Sequence, residues 1–580
     1  MKTKIFYTLL LVVGILGVSC KDDFLQDGTI PADGDVTEEQ FWNHADWSRN
    51  YLNNIYSHVE HRFNVLGEWS LLADASDEAV SSNPNSDISI FNNGTWGPVR
   101  TVDDVWTDMY SGIRKTNIFL EKIKTANIVP MNGLSYDEDV KRMRGQAFFL
   151  RAFFLFELVK RYGSAVIITR ELSPDENLNL PRNSFEECVA QITLDCDSAI
   201  ARLPVWTKDW MIGDPNNNPN TANYGRATQT AAMALKSRIL LYAASPLYNP
   251  SGDQTKWQKA ADVAKAIMDL NKHKIFSSYG NLWMWNTAAN QYNDEVIFAT
   301  QTYNAAEFDR QNAPVSYEGG LGRTNPTQEL VDAFEMKTTG RLITDPLAVY
   351  SDANPYLNRD PRLGFSILYN GQTYKTTTPA SVVETFIGGK DGIGVNVNAT
   401  KTGYYLRKFM DPAASWNSNP VVNRRRPWIL FRYAETLLNY AEALNEAQGV
   451  AAMTQVLGAI NQIRARAGVA MPALQTTNPA GNGYVAPTKE AIRARIRNER
   501  RVELCFEEHR FFDVRRWKEG ETYFNKPVTG MRITKNANGT FNFERFNVEN
   551  RVFTEKNYLF PISQNELNRA PALGQNKGYN

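Results

Sequence analysis

The chain has 580 residues, with 63 Lys+Arg against 63 Asp+Glu and hence no formal net charge. That balance speaks against a nucleic-acid protein, which needs a basic surplus to displace phosphate counterions, and against attachment to anionic lipid by charge alone. A composition of 43% hydrophobic, 22% charged and 12% aromatic residues describes a folded globule, and the length suits three or four domains of roughly 150 residues or one large one.

At the N-terminus, Lys2 and Lys4 precede an apolar run from Ile5 to Val18, and Gly17 and Ser19 lead into Cys20. A positive start, a short apolar core and a small-residue junction predict a secretory signal over 1–19. The run falls short of the roughly 20 residues a membrane-spanning helix needs. A small residue directly before Cys is also a lipoprotein junction, so Cys20 is expected to be the lipidated mature N-terminus. Residues 20–39 then read as a polar tether. Removing 1–19 removes Lys2 and Lys4, leaving side chains that sum to 61 − 63 = −2. Of the other cysteines, Cys188 and Cys196 are eight residues apart in a helical pattern, about 12 Å of rise and too far for a disulfide. With no C-x-x-C present, Cys188, Cys196 and Cys505 are expected to be small buried hydrophobes.

Long helical patterns follow. Phe148, Ala152, Leu155, Val159 and Tyr162 repeat at helical spacing, as do Ala232, Leu235, Ile239 and Tyr242, with a stop at Ser245-Pro246. A second helix, Trp257 to Leu270, carries Ala260, Ala261 and Ala264 on one side, so 227–270 is expected to form an antiparallel pair. Leu430, Ala434, Leu437, Ala441 and Leu444 mark another helix, pairing 428–447 with 454–467. Such Ala-seamed pairs look like degenerate tetratricopeptide units, without a strict 34-residue period. Between 271 and 425 short β-rich runs such as Glu295–Ala299 sit among Asn-, Gly- and Pro-rich loops. Segments 469–487 and 518–557 also read as loop-rich. The organisation is thus an N-terminal helical region (40–270), a loop-rich insertion with short strands (271–425) and a C-terminal helical region (426–580).

Several stretches, in order along nearly the whole mature chain, resemble signatures of the SusD/RagB outer-membrane nutrient-binding lipoproteins of Bacteroidetes. They include Phe148–Phe154 running on to Arg161-Tyr162-Gly163, Arg226-Ala227-Thr228, and Ala243–Asn249. Asn293–Ile297, Pro326–Asp332 and Asn358–Arg362 continue the series. Arg432–Glu435, Arg497–Arg501, His509–Asp513 and Phe560-Pro561-Ile562 complete it. Lys21-Asp22-Asp23 resembles the signal that sends such lipoproteins to the cell surface. The resemblance implies a mostly α fold, a tetratricopeptide-like scaffold with a loop-rich, partly β insertion carrying the ligand face. It also implies a surface location in the outer membrane, capture of oligosaccharides (peptides in some members), delivery to a SusC-like TonB-dependent transporter, and no enzymatic activity.

The residues themselves offer little catalytic chemistry. Glu435 and Glu442 are seven apart on a helix, about 10.5 Å of rise, against the roughly 5–5.5 or 6.5–9.5 Å of glycosidase carboxylate pairs. Both are expected instead to pair with arginines such as Arg432, Arg464 or Arg466. The Arg-rich segment 493–517 is interleaved with Glu499, Glu503, Glu507, Glu508 and Asp513, which predicts a charge-laced structural helix with Arg495 and Glu499 as an i,i+4 pair. His58 and His61, three apart, are a conceivable metal pair without H-E-x-x-H support; no cofactor or metal is expected. Sugar sites place flat aromatic rings beside small polar groups. Two loops have that mixture, Asn92–Gly97 and Asn281–Asn286 with the following Tyr303-Asn304 and Arg323. The expected platforms are Trp96, Trp283 and Tyr303, with Asn93, Asn304 and Arg323 as polar partners. Trp42, Trp106 and Trp257 lie in helical patterns and are expected in the core. A peptide-binding adaptor and a surface glycoside hydrolase are the competing readings.

Overall fold

The computed structural model describes residues 36–579 except 84, 132, 174, 212–222, 288–289, 292 and 376–380. The signal segment, Cys20 and the tether up to residue 35 lie outside the described residues. The first described helices are α1 (Glu38–Asn43) and α2 (Ala45–Ile55), followed by α3 (Trp106–Lys122), α4 (Tyr136–Tyr162) and α5 (Phe185–Ile200). Next come α6 (Gln229–Ala244) and α7 (Gln254–Asp269), and beyond the insertion α8 (Tyr433–Gln448), α9 (Met453–Arg464), α10 (Lys489–Glu503) and α11 (His509–Arg516).

Helix α4 shows how the sequence sets these elements. Ser135 caps its first turn by accepting from the Glu138 amide, Asp137, Glu138 and Asp139 face the positive end of the dipole, and Lys160 and Arg161 face the negative end. Gly163 ends it with φ 75°, a left-handed position that glycine adopts without steric cost. The helix is apolar on nearly every side, with Phe149, Leu150, Phe153, Phe154, Phe156 and Leu158 all buried, so it is the central element. Its neighbour α3 comes close because Gly112 has no Cβ; one there would stand 2.7 Å from the Phe154 ring.

Consecutive helices pack on one another from α3 through α7, and α7 then packs on α8 across the insertion. The seam predicted for 227–270 is present, with Ala260, Ala261 and Ala264 buried between helices. This serial stacking is the repeat-like scaffold the spacing implies. Trp42, Trp106 and Trp257 are buried, as are the unpaired Cys188, Cys196 and Cys505. No helix among the described residues is long and apolar enough to cross a membrane.

The strands form two-stranded antiparallel ribbons that stitch distant segments together. Strand β1 (Ala79–Ser81) pairs with β4 (Thr324–Pro326), β2 (Val296–Ala299) with β6 (Ile429–Arg432), and β3 (Tyr303–Ala305) with β5 (Arg424–Arg426). Two expectations change here. Leu430 belongs to strand β6, not to the start of a helix, because Ile429–Phe431 is a β-favouring run with a partner strand waiting at 296–299. Segment 518–557 is not chiefly loop: β7 (Val528–Lys535) and β8 (Phe541–Glu549) form a hairpin whose turn contains Asn538-Gly539, with Gly539 at φ 85°.

Buried charge joins insertion and scaffold. Arg432 bridges Glu295 (2.9 Å), Glu503 (2.7 Å) and Glu507 (2.8 Å), and Arg466 bridges Glu295 and Glu503 at 2.6 Å each. Arg362 joins Asp360, Glu499 and Glu503, while Arg464 joins Glu335 and Glu499. The 493–517 segment is therefore structural, as expected, but most of its pairings reach other segments, with Asp513 pairing Arg500 and Arg516 within it. Arg495 meets Glu335 at 2.7 Å rather than Glu499. Glu435 pairs with Arg238 (2.7 Å) and Glu442 with Arg516 (2.6 Å), not with Arg432, Arg464 or Arg466. Each desolvated ion keeps two or more charged or polar partners, the condition under which such burial is tolerated.

Candidate functional site

The predicted platforms separate once the chain is folded. Trp96 is 2% exposed, wedged between Phe91, Phe560 and Tyr579 with ring centroids at 5.0, 5.1 and 5.8 Å. Trp283 is also 2% exposed, edge-on to Tyr279 and Phe409, with the Lys408 ammonium 4.5 Å from its ring centroid. Neither ring offers a face to a ligand, and both belong to the packed interior. Asn93 is exposed, but its carboxamide is engaged locally, accepting from the Thr95 amide (3.0 Å) and hydroxyl (2.6 Å) beside the buried Trp96. Asn304 follows Tyr303 on β3, so the two side chains point to opposite faces of the ribbon and cannot act on one ligand surface.

Tyr303 instead meets a ring the loop criteria passed over, Trp69, and Arg323 is linked to its strand through Gln311 and Glu307. Trp69 sits half-buried on a tight loop with Leu66, Gly67 and Trp69 at φ 65°, 72° and 59°. Asn64 fixes that turn by accepting from the Trp69 amide at 2.7 Å. The half-buried Tyr303 ring packs at 6.1 Å from Trp69 and 4.9 Å from His61, tilted 58° to each. Phe63 supports Tyr303 from the core at 5.9 Å. Trp69 and Tyr303 thus form an angled, half-buried aromatic pair backed by Phe63 and His61.

Polar groups border this pair. The short helical turn Glu307–Asn312 begins two residues after β3. Its Glu307 accepts from Arg310 (2.6 Å) and from Gln311 (2.6 Å), and Gln311 in turn accepts from Arg323 Nε at 3.3 Å. Arg323 also donates to Asn398 at 3.3 Å. Burial, and then the like charge of Arg310, hold Arg323 below its ordinary range, while Glu68 beside Trp69 opposes the shift. Glu68 is held by the Ser86 hydroxyl and the Asp87 amide. Burial pushes the Tyr303 hydroxyl up to about 12, so it remains a neutral hydroxyl group at physiological pH. Further along the same loops, Trp416 is partly exposed, donates from Nε1 to the Glu318 carbonyl at 2.7 Å, and carries Lys375 4.0 Å from its ring centroid.

Behind His61 and Asn64 lies a cavity of ≈ 450 Å³. Its charges neutralise one another: Arg62 pairs with Asp103 and Glu508, and Arg161 with Asp103 and Glu157. His58 is turned to Asp108 at 2.6 Å and His61 packs against aromatic rings, so the two do not converge. The buried Glu435 and Glu442 are each tied to an arginine within the scaffold.

Comparison with known proteins assigns the chain to a family. The model of the SusD family matches residues 282–579, just over half of the chain. The chain belongs to the SusD family. A second family model, described as starch-binding associating with outer membrane, matches residues 44–241 of this SusD family member. Among curated relatives, SusD-like protein P2 of Formosa agariphila is 25% identical over 523 residues, covering 88% of this chain and 86% of the relative. SusD-like protein P25 of the same organism is 24% identical over 430 residues, 72% and 70% of the two chains. A crystal structure of a SusD-like protein from Bacteroides fragilis has 28% identity and a TM-score of 0.76, covering 94% of this chain and 99% of the other. A SusD-like carbohydrate binding protein from the same species shares the fold at 24% identity and TM-score 0.72, covering 92% and 99%. The mostly α SusD fold is thereby established.

Proposed function

We propose that this SusD family member is a surface lipoprotein, anchored through Cys20, that captures oligosaccharide on the Trp69–Tyr303 face and passes it to a SusC-like TonB-dependent transporter. The observation that carries the reading is the angled pair of partly open rings, bordered by Glu68, Glu307, Arg310, Gln311 and Arg323. A pyranose presents an apolar C–H face that an aromatic ring covers, and its equatorial hydroxyls reach donors and acceptors at the ring's edge. Two rings set at an angle suit a chain that turns, such as a helical glycan segment. The rim contains both arginine donors and carboxylate acceptors, which matches neutral hydroxyls, groups that donate and accept alike. The carbohydrate-binding description of a structural relative and the outer-membrane description of the second matching family point the same way. The rim carboxylates are engaged by Arg310, Gln311, Ser86 and Asp87, an arrangement that favours capture of a glycan over its hydrolysis.

The test is a panel of polysaccharides, oligosaccharides and peptides measured by calorimetry with product analysis. Retention of a glycan without released product, lost in Trp69→Ala and Tyr303→Ala, supports the proposal. Retention of peptides alone, or release of reducing sugar, replaces it.

A further inference from the structure

Between α4 and the segment that follows α5, a second concave feature stands out by its charge. A cleft of ≈ 470 Å³ is lined by Lys124, Tyr136, Asp137, Val140, Lys141, Arg144, Ala201 and Arg202, four cations against the carboxylate of Asp137, with Lys141 also reaching Glu138 at 3.4 Å. Its geometry is built. Lys141 and Arg144 are three apart on α4 and so share one face. The next residue, Gly145, lets the segment after α5 lie directly on α4, since a Cβ there would stand 2.9 Å from the Arg202 Cβ and from Leu203. Arg202 is then fixed by the ring of Phe148, 5.2 Å from its guanidinium, and by one bond from Nη1 to the Ser198 carbonyl at 2.8 Å. The Nε of Arg144 is buried with no partner. Burial, and then the charge of Arg144, lower the Arg202 pKa, so the two guanidiniums repel each other. The scaffold arginines of the C-terminal network behave differently, each meeting carboxylates at 2.6–3.0 Å. An unmatched buried donor such as the Arg144 Nε is costly without a counter-charge.

We infer that this cleft binds a phosphate-type oxyanion, gripped by the free donors of Arg144 and Arg202 with Lys141 and Lys124 at its mouth. Guanidinium forks match the oxygens of such a group bidentately, and lysines add compact charge. The cleft also has a telling position. Lys122, two residues before Lys124, pairs with Glu38 of α1 at 2.6 Å, and the Asn127 amide donates to Asn43 at 2.7 Å. It therefore lies beside the first described helix, the end from which the chain runs back toward Cys20. A lipid headgroup and a free anion carry the same oxyanion chemistry, and the experiment separates them. The inference is independent of the glycan reading.

The chain from Lys21 onward keeps every described residue and is the protein to use. Calorimetry with inorganic phosphate, and co-sedimentation with phosphatidylcholine vesicles with and without phosphatidylglycerol, are run on wild type, Arg144→Gln/Arg202→Gln and Lys141→Gln. Saturable phosphate binding, weakened roughly tenfold or more in the double variant, with unchanged glycan affinity, is the expected result. Lys141 is exposed, so its variant reports on the site even if the arginine pair is needed for folding, and it too should weaken phosphate. Preference for phosphatidylglycerol vesicles that disappears in the variants identifies the source as a headgroup; phosphate binding without that preference identifies a free anion. Absence of saturable phosphate binding, or equal binding by all three proteins, overturns the inference.

Discussion

Two tryptophans that look alike in sequence, each following a glycine in a loop, should respond oppositely to the same substitution. Trp96 fills a site among Phe91, Phe560 and Tyr579 and is 2% exposed. Trp96→Ala leaves a cavity that these rings cannot close, a loss of about 3–5 kcal/mol. At ~1 °C per kcal/mol for a chain of this length, the melting temperature should fall by about 3–5 °C. Glycan affinity, measured well below the transition, should be unchanged. Trp69 is half-buried on a loop held by Asn64, so Trp69→Ala should cost about 1 kcal/mol of stability or less. Its effect belongs to binding: an aromatic anchor at the centre of a contact contributes about 2 kcal/mol, roughly thirtyfold in Kd. Differential scanning calorimetry and titration calorimetry on both variants read the two quantities separately. A Trp96→Ala protein that melts like wild type yet fails to bind glycan, beside a Trp69→Ala protein that binds normally, would refute the argument.

Further outcomes follow from the buried charges and thiols. Burial, and then the neighbouring Asp77, hold the Glu78 carboxyl at about 8 against an ordinary 4.5. A raised carboxyl contributes its stability below the unfolded pKa and loses it as pH climbs through the folded one, at up to ~1.4 kcal/mol per pH unit. Glu78→Gln should therefore raise the urea midpoint over wild type at pH 8 and not at pH 4.5; equal effects at both would exclude the mechanism. Glu435 is the opposite case: burial opposes its ionisation, but Arg238 overcomes that and holds it at about 2, so its stabilisation is present above pH ~4.5 and fades as pH falls toward 2. Arg238→Met should cost about 3–5 kcal/mol by stranding the carboxylate, and Arg238→Met/Glu435→Leu should recover most of it in chemical denaturation. Cys188 and Cys505 have thiols pushed up to about 11 by burial, and Cys196 is buried beside Asp195. Iodoacetamide at pH 8 should leave all three unmodified in the folded protein and alkylate them in urea, with mass spectrometry as the readout.

Helical periodicity was legible because a helix face repeats over several turns and every repeat adds to the signal. The α4 stripe, the Ala seam of α6 and α7, and the stop at Ser245-Pro246 all lie where the spacing put them. The core assignments of Trp42, Trp106 and Trp257 followed from the same periodicity, and the ordered motifs were enough to recognise the SusD family. Local pattern could not identify partners. Glu435 and Glu442 needed arginines, as expected, yet Arg238 and Arg516 lie 197 and 74 residues away and were brought near only by helix packing. Arg495 and Glu499 have ideal helical spacing, but Glu335 and Arg464 from other segments supply stronger, desolvated partners.

The candidate site shows the same division at the scale of single rings. Composition marked aromatic loops as the places to look, and that criterion fits Trp69 after Gly67-Glu68 as well as it fits Trp96 after Gly94-Thr95. Which of them faces solvent depends on what closes over it. The C-terminal segment carrying Phe560 and Tyr579 covers Trp96, whereas Trp69 meets Tyr303 from the insertion and stays half-buried. Alternation along β3 likewise divides Tyr303 from Asn304. Sequence by itself determined the helical scaffold, its family and the kind of surface to expect, since those rest on short-range periodicity and ordered motifs. Tertiary structure decided which rings are exposed and which charges are paired, because burial depends on segments hundreds of residues apart arriving at the same place.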